Sequence, residues 1–305
     1  MEKIGFSVVE DLAGKRLDAL LKEQFPEFSR TYFQFLIDEG MVLVNGKPLK
    51  KREKPNFGDQ IEVKFQVSPE MDLIAEDIPL DILYEDEDII AINKPAGMVV
   101  HPAPGHTSGT FVNALLYHCK DGLAQCDDPL RPGVVHRLDK DTTGVLIGAK
   151  TRAAHQNLIE LFKNRHVAKE YLALTIGNPG TKTIRNSIGR HPTKRKEMCI
   201  RNEGGKESVS HVTPIITSEC YAFVKIYLET GRTHQARVHL RSAGTPILGD
   251  PTYGNRGHNE KVGIHRQLLH ASQISLPHPI TGKPLTISAP LPEDFERIKK
   301  NLLAE

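Results

Sequence analysis

Cysteine is scarce in this sequence: four residues in 305, at positions 119, 126, 199 and 220, and no two of them form a Cys-x-x-Cys pair. The spacing argues against a structural zinc site and the number against a disulfide scaffold, so free thiols in a reducing compartment are expected. Long apolar runs are missing too. None approaches the roughly 18 residues that a membrane span needs. The opening Met-Glu-Lys-Ile-Gly-Phe lacks the apolar stretch of a secretory signal. Net charge is also nearly absent, with 40 Lys+Arg against 38 Asp+Glu. What is present is a composition 39% hydrophobic and 26% charged, enough for a packed core and incompatible with wholesale disorder. The length suggests two domains at about 150 residues each. A cytoplasmic protein, by default a monomer, is the expectation.

The small net charge conceals two fields. Residues 66–90 hold nine acidic residues and no Lys or Arg, which leaves +11 on the rest of the chain. Residues 182–206 set eight basic residues, Arg190, Lys194, Arg195 and Lys196 among them, against two acidic ones. Lys47, Lys50, Lys51, Arg52 and Lys54 form a second basic cluster. Clustered cations suit a polyanion, because phosphates that bind them release counterions. The plain alternative is a solvated charged face.

The first 65 residues read as a small unit. Leu17, Leu20 and Leu21 share a face of a helix that begins near Arg16, and Ser29 is placed to cap a second helix over 30–39, which Gly40 ends. Met-Val-Leu-Val then runs into Asn45-Gly46, a hairpin signal, and a strand is expected over 60–65. Arg16-Leu17-Asp18, Ser29-Arg30, Val44-Asn45-Gly46 and Gly58-Asp59, in that order, resemble the S4 RNA-binding module over residues 13–66. The resemblance implies RNA contacts by Arg16, Arg30, Lys50, Lys51 and Arg52. An acidic linker is expected over 67–80 and a second domain over 81–305.

In that second domain, strands are expected at 89–92, 167–176 and 224–228, and a helix capped by Thr233 and ending near Gly244. Two clusters bear chemistry. Gly133-Val134-Val135-His136-Arg137-Leu138-Asp139 places a carboxylate after a short apolar strand, beside a His and an Arg. Such a carboxylate can attack an anomeric carbon if a cation keeps it ionised; most Asp residues at strand ends, though, are turn or capping residues. Gly231-Arg232-Thr233-His234-Gln235-Ala236-Arg237 sets arginines around a helix start, where positive potential favours an anion. His234 and His239 miss the i, i+4 spacing of a helical metal pair, so no metal is expected.

Together the clusters are more specific than either alone. His136-Arg137-Leu138-Asp139 with Thr142-Thr143-Gly144 looks like the signature of the RluA family of RNA pseudouridine synthases. Asn93-Lys94-Pro95-Ala96-Gly97, Lys169-Glu170-Tyr171, Gly231-Arg232-Thr233-His234-Gln235, Gly249-Asp250 with Tyr253-Gly254, and Arg266-Gln267-Leu268-Leu269-His270-Ala271 follow the order of its other motifs, over about residues 80–295. Within the family, the D-type enzymes of large-subunit ribosomal RNA are the most similar. The resemblance implies an α+β fold with a long, mainly antiparallel mixed sheet. It implies conversion of uridine to pseudouridine without cofactor or metal, with large-subunit ribosomal RNA as partner. By match to the motifs, Asp139 is the essential carboxylate, Arg232 pairs with it, Tyr171 stacks on the target uracil and Arg137 enters the vacated base stack. His136 is either part of the site or a structural hydrogen-bonding group. The segment 182–206 would face RNA.

Other readings stay open. Asp139-Lys140-Asp141-Thr142-Thr143 matches the D-x-D-x-T pattern of haloacid-dehalogenase-like phosphotransferases, although His136 and Arg137 interrupt the apolar strand that should precede it. A non-catalytic ribosome-assembly factor, or an enzyme of transfer RNA, would need the same basic surface.

Overall fold

The computed structural model describes residues 3–303 apart from 27, 29, 66–72, 103–107, 120–131 and 195, and the side chain of 31. Ser29, Arg195, Cys126 and much of the expected linker lie outside the described residues. Two separate sheets organise the rest.

The first sheet is built from β1 (Lys3–Ser7), β2 (Val42–Val44), β3 (Lys47–Pro48) and β4 (Gln60–Lys64), in the order β1-β4-β2-β3 and antiparallel throughout. The turn between β2 and β3 places Asn45 and Gly46 both at positive φ, 51° and 76°, as a two-residue hairpin demands. Helices α1 (Leu17–Gln24) and α2 (Arg30–Asp38) bury Leu17, Leu20, Leu21, Phe33 and Leu36 beneath it. One polar group joins the two helices. Asp18 is fully buried and accepts two bonds from Arg16 (3.1 and 3.0 Å), one from Arg30 (2.9 Å) and one from Gln34 (2.6 Å). Burial alone would raise the Asp18 carboxyl; the bonds from Arg30, Arg16 and Gln34 outweigh it and hold it down at about 2. An unfolded Asp titrates near about 4. The stability this group adds is therefore complete above that pH and is lost as pH falls from there toward 2. Urea midpoints of wild type and Asp18→Asn, compared at pH 5 and pH 2.5, should converge at the lower pH. A gap that stays constant would contradict this account.

The second sheet has ten strands. From one edge the order is β10 (Met198–Ile200), β9 (Lys182–Arg190), β11 (Lys206–Thr217), β12 (Tyr221–Leu228), β8 (Ala168–Ile176), β13 (Leu269–Pro277), β7 (Thr143–Ala149), β6 (Ile89–Lys94) and β5 (Ile82–Glu85), with β14 (Pro284–Ser288) paired to β13. All pairings are antiparallel except β7 with β13. There Gly144 sits at φ 107°, and a Cβ on it would fall 2.2 Å from the Ala271 carbonyl oxygen, so only glycine admits this approach. Helices α3 (Phe111–Cys119), α4 (Arg152–Lys163), α5 (Gln235–Ser242), α6 (Arg256–Val262) and α7 (Glu293–Leu303) accompany the sheet, and separate apolar clusters form around α3, α4, α5 and α7. The chain is thus α+β, with a large mixed and mainly antiparallel sheet.

The strands expected at 60–65, 89–92, 167–176 and 224–228 and the expected helices are present with small shifts at their ends, whereas the short apolar strand expected before Asp139 is reduced to an isolated bridge between Val134 and Gly148. The helix expected to be capped by Thr233 starts later: His234 is its N-cap, at φ 56° in the left-handed region, with no side-chain cap bond. Residues 74–81 carry no helix or strand but are tied down. The Ile74 carbonyl accepts from Asn113, the Glu76 N–H donates to the Asn113 carbonyl, and the Asp81 carbonyl accepts from the Asn93 N–H. Cys199 and Cys220 are free thiols. Among the described residues, no helix is long and apolar enough to cross a membrane.

Candidate active site

The segment between the bridge at Val134 and β7 has no regular structure and must be held from outside. Lys94, at the end of β6, holds it. Its ammonium is fully buried and donates to three carbonyls, of Pro95, Met98 and Lys140, each at 2.9 Å. The Gly97 N–H adds a bond to the Lys140 carbonyl. The residue after Asp139 is thereby fastened to the Asn93–Gly97 turn. Burial pushes the Lys94 ammonium down to about 8, and Asp141 and Asp139 only partly offset it. Behind the same segment, Gln267 donates to the Thr142 hydroxyl (3.3 Å) and His270 Nδ1 pairs with the Thr143 hydroxyl (2.9 Å). Lys94→Met should strand three buried carbonyls and cost about 2–4 kcal/mol. Denaturant unfolding measures this, and a loss below about 1 kcal/mol would mean that the ammonium does not hold the segment.

Asp139 faces a cleft whose walls include Arg137, Tyr171, Arg232, His234 and Arg237. The sequence reading pairs Asp139 with Arg232; the structure corrects this. Arg237 Nη1 donates to Asp139 Oδ2 at 2.9 Å, whereas Arg232 Nε donates to the Glu207 carbonyl at 3.0 Å. The reason is geometric. Arg232 lies in the turn before the left-handed His234, and Arg237 lies in the first turns of α5, among buried residues. Arg237 is itself fixed from behind, because Nε and Nη2 grip both oxygens of the buried Asp250 at 2.6 and 2.9 Å. Asp250 in turn accepts from the Thr252 and Tyr253 N–H groups, and the Tyr253 ring lies 5.0 Å from the guanidinium. Although burial opposes it, the two carboxylates raise Arg237 above its ordinary value, so it remains a cation. One guanidinium thus serves two carboxylates, one anchoring it and the other open to the cleft.

His234 Nε2 stands 3.8 Å from Asp139 Oδ1, too far for a hydrogen bond. Its Nδ1 pairs with the Tyr253 hydroxyl at 2.8 Å, and that hydroxyl accepts from the Met198 N–H at 2.7 Å. Burial pushes the His234 imidazole down and favours its neutral form. Farther along α5, His239 bonds Ser210 and Asn186, and Gln235 bonds Thr230, the Arg232 N–H, the Val209 carbonyl and Ser210, locking the helix to β11.

Tyr171 lies on β8 opposite Ala271 and Ile226, and its ring packs against the apolar clusters on either side. Among the described residues nothing bonds its hydroxyl. Burial, then the Asp139 charge, raises its pKa, so it stays a neutral phenol. Arg137 is exposed at the cleft. His136 is drawn away from it: the ring stacks on Phe162 and Nε2 accepts from the Ile147 N–H at 3.0 Å. Burial, with Lys169 adding to it, pushes His136 down to about 3, so it is a neutral structural acceptor. Of the two roles open to it in the sequence, the structure supports the structural one.

On the first domain, the basic residues gather near the start of α1. The Leu17 and Asp18 N–H groups donate to the Glu53 and Lys51 carbonyls, which brings the loop carrying Lys50, Lys51 and Arg52 beside Arg16 and Arg30. Both arginines remain about half exposed while they hold Asp18. Lys51 also pairs with Asp38 at 2.7 Å. On the second domain, Arg190, Lys194 and Lys196 stand at the β9–β10 turn, where Lys194 pairs with Glu197 at 3.1 Å. The Met198 to Tyr253 bond attaches this hairpin to the ring that lies against Arg237.

No local motif signals that Asp86, Asp88 and His278 gather with ligand atoms within 4.8 Å of one another. Their bonding is internal. Asp86 accepts from the Asp88 and Ile89 N–H groups, from Tyr84 and from His278 Nε2, while His278 Nδ1 accepts from two further N–H groups.

Comparison with known proteins bears on this arrangement. A profile of the RNA pseudouridylate synthase family matches residues 88–242, and one of the S4 domain matches residues 15–61. An uncharacterised RNA pseudouridine synthase of Bacillus subtilis is 40% identical over 304 residues, covering 99% of each chain. Ribosomal large subunit pseudouridine synthase D of Neisseria meningitidis is 41% identical over 314 residues, covering 99% of this chain and 83% of the relative. Among solved structures, human RNA pseudouridylate synthase domain containing 4 superposes with a TM-score of 0.57 at 26% identity, over 72% of this chain and 92% of the human one.

Proposed function

Because this chain belongs to the RNA pseudouridylate synthase family, we propose that it isomerises uridines of large-subunit ribosomal RNA and that Asp139 is the carboxylate on which the reaction turns. The observation that carries the reading is the Asp139–Arg237–Asp250 relay at a cleft that also exposes Tyr171. The N1–C1′ bond of the uridine breaks, the uracil turns, and a C5–C1′ bond forms. N1 gains a proton and C5 loses one, so atoms balance with no redox change. An ionised carboxylate serves either attack at C1′ or removal of the C2′ proton, and Arg237 stabilises that ionised form. Its fork also fixes where the oxygen points.

A uracil stacked on Tyr171 is held by its face and is free to turn in its own plane. The neutral phenol adds no charge that would compete with Asp139. A base paired or stacked in folded RNA must first be extruded, at about a few kcal/mol. Arg137, planar and exposed at the cleft, suits the vacated position in the stack. The basic loop of the S4 domain and the β9–β10 turn would hold the surrounding backbone, which positions the RNA without reading its sequence. The reading includes a cytoplasmic setting, where the ribosomal RNA is found.

The test uses transcribed large-subunit ribosomal RNA tritiated at uridine C5, incubated with the protein in EDTA. Tritium release is the expected result. Tight binding without release from ribosomal or transfer RNA would move the assignment to a non-catalytic assembly factor.

A further inference from the structure

Lys169 precedes Tyr171 by two residues on β8 and shares its face of the strand. Its ammonium lies against the Gly231 turn, where a Cβ would stand 3.5 Å from Nζ. Among the described residues no carboxylate or carbonyl bonds it. Its charged neighbours are Arg232 and Arg165, both cations, and after burial they help to push it down to about 8. Such crowding of like charge around a half-buried ammonium is unfavourable unless an anion joins it.

One weak anion is already present. The Glu207 carboxylate, about half exposed, is held by Arg185 at 2.7 Å and by Arg165 at 3.5 Å, and the Glu207 carbonyl accepts from Arg232. Arg165 is held at φ 61°, a left-handed conformation uncommon for a residue with a side chain. Four cations from four segments, the loop after α4, β8, β9 and the turn before α5, therefore gather here, and the Glu207 carboxylate pairs with only two of them, Arg185 and Arg165. The Gly231–Arg232 turn also lines the Asp139 cleft.

We propose that Lys169, Arg165, Arg185 and Arg232 form a subsite for a backbone phosphate adjoining the uridine held at Tyr171, and that Glu207 occupies two of its arginines until RNA displaces it. The proposal rests on the RNA-substrate reading above. A phosphodiester matches the site better than a carboxylate does: its oxygens can accept from several guanidinium and ammonium donors at once. Its place one pleat repeat from Tyr171, about 7 Å along the strand, assigns it to the backbone beside the flipped base rather than to the base.

The test measures equilibrium binding of transcribed large-subunit ribosomal RNA between 50 and 200 mM salt, beside the tritium assay. Lys169→Met should bind more weakly and flatten the slope of log affinity against log salt by about 0.7 to 0.9, the loss of one phosphate contact. Lys169→Arg should restore the slope. Glu207→Gln, at an exposed position that can lose its charge without harm to folding, should bind more tightly than wild type, an outcome that structural damage does not produce. An unchanged slope in folded Lys169→Met, or weaker binding by Glu207→Gln, overturns the subsite. Slopes that shift as stated without tritium release would keep the subsite and remove the catalytic reading; release with unmoved slopes would do the reverse.

Discussion

Asp139→Asn should lower tritium release by at least about 10⁴-fold, the scale on which enzymes lose rate when an essential nucleophile or base is removed. The substitution keeps shape and one acceptor oxygen, so the cleft need not rearrange. Arg237 remains neutralised by Asp250, which holds two of its nitrogens. The fold should therefore stay within about 1 kcal/mol of wild type, as for changes that leave no buried charge unpaired. RNA affinity should hold or rise slightly, because a negative charge leaves a surface that meets phosphate. Loss of affinity in proportion to activity would show instead that Asp139 acts in binding.

Arg237→Met is expected to be the most damaging substitution for stability. It leaves Asp250 fully buried without its cation and Asp139 largely buried beside it. Breaking a buried pair in this way costs about 3–5 kcal/mol, because the remaining charge has no partner. Adding Asp250→Asn should recover much of the stability and none of the activity, since Asp139 still lacks the group that orients it. Arg237→Lys would carry the charge but not the fork that reaches two carboxylates, and should fold better than Arg237→Met while turning over slowly. A double variant as active as wild type would mean that Arg237 serves only to neutralise Asp250.

Much of this was legible beforehand. The helix pair and the Asn45-Gly46 turn of the first domain, the α+β class and the prominence of Asp139 and Tyr171 all follow from local pattern and motif order. The pairing of Asp139 did not. Its motif offers arginines at 232 and 237, and sequence spacing does not say which one points inward. That is decided by the left-handed His234, which ends the turn and starts the helix, so that Arg237 is buried and Arg232 is not. Nor does a sequence reveal that Asp250 lies behind Arg237, because thirteen positions separate them and only the fold closes the distance. Adjacency to Arg137 does not decide between the two roles open to His136. The irregular backbone there sends the two side chains apart, one to Phe162 and the other to the cleft. The buried Lys94 and its three carbonyls had no signal beyond a motif lysine.

The place of β13 in the sheet has a consequence for how the protein is made. Among the described strands it alone connects the half-sheet that bears Tyr171 with the half-sheet that follows Asp139, and its His270 meets Thr143 across 127 positions of sequence. At a ribosomal pace of about 5–20 residues per second, β7 waits roughly 6 to 25 s for that partner. During this interval the first domain, whose strands all lie within residues 3–64, can already close, whereas β7 and β8 each present an uncovered strand edge. A nascent chain is thus half finished in a hazardous way. Stalling or truncation before residue 269 should yield a product that recruits chaperones or aggregates rather than a partly active enzyme.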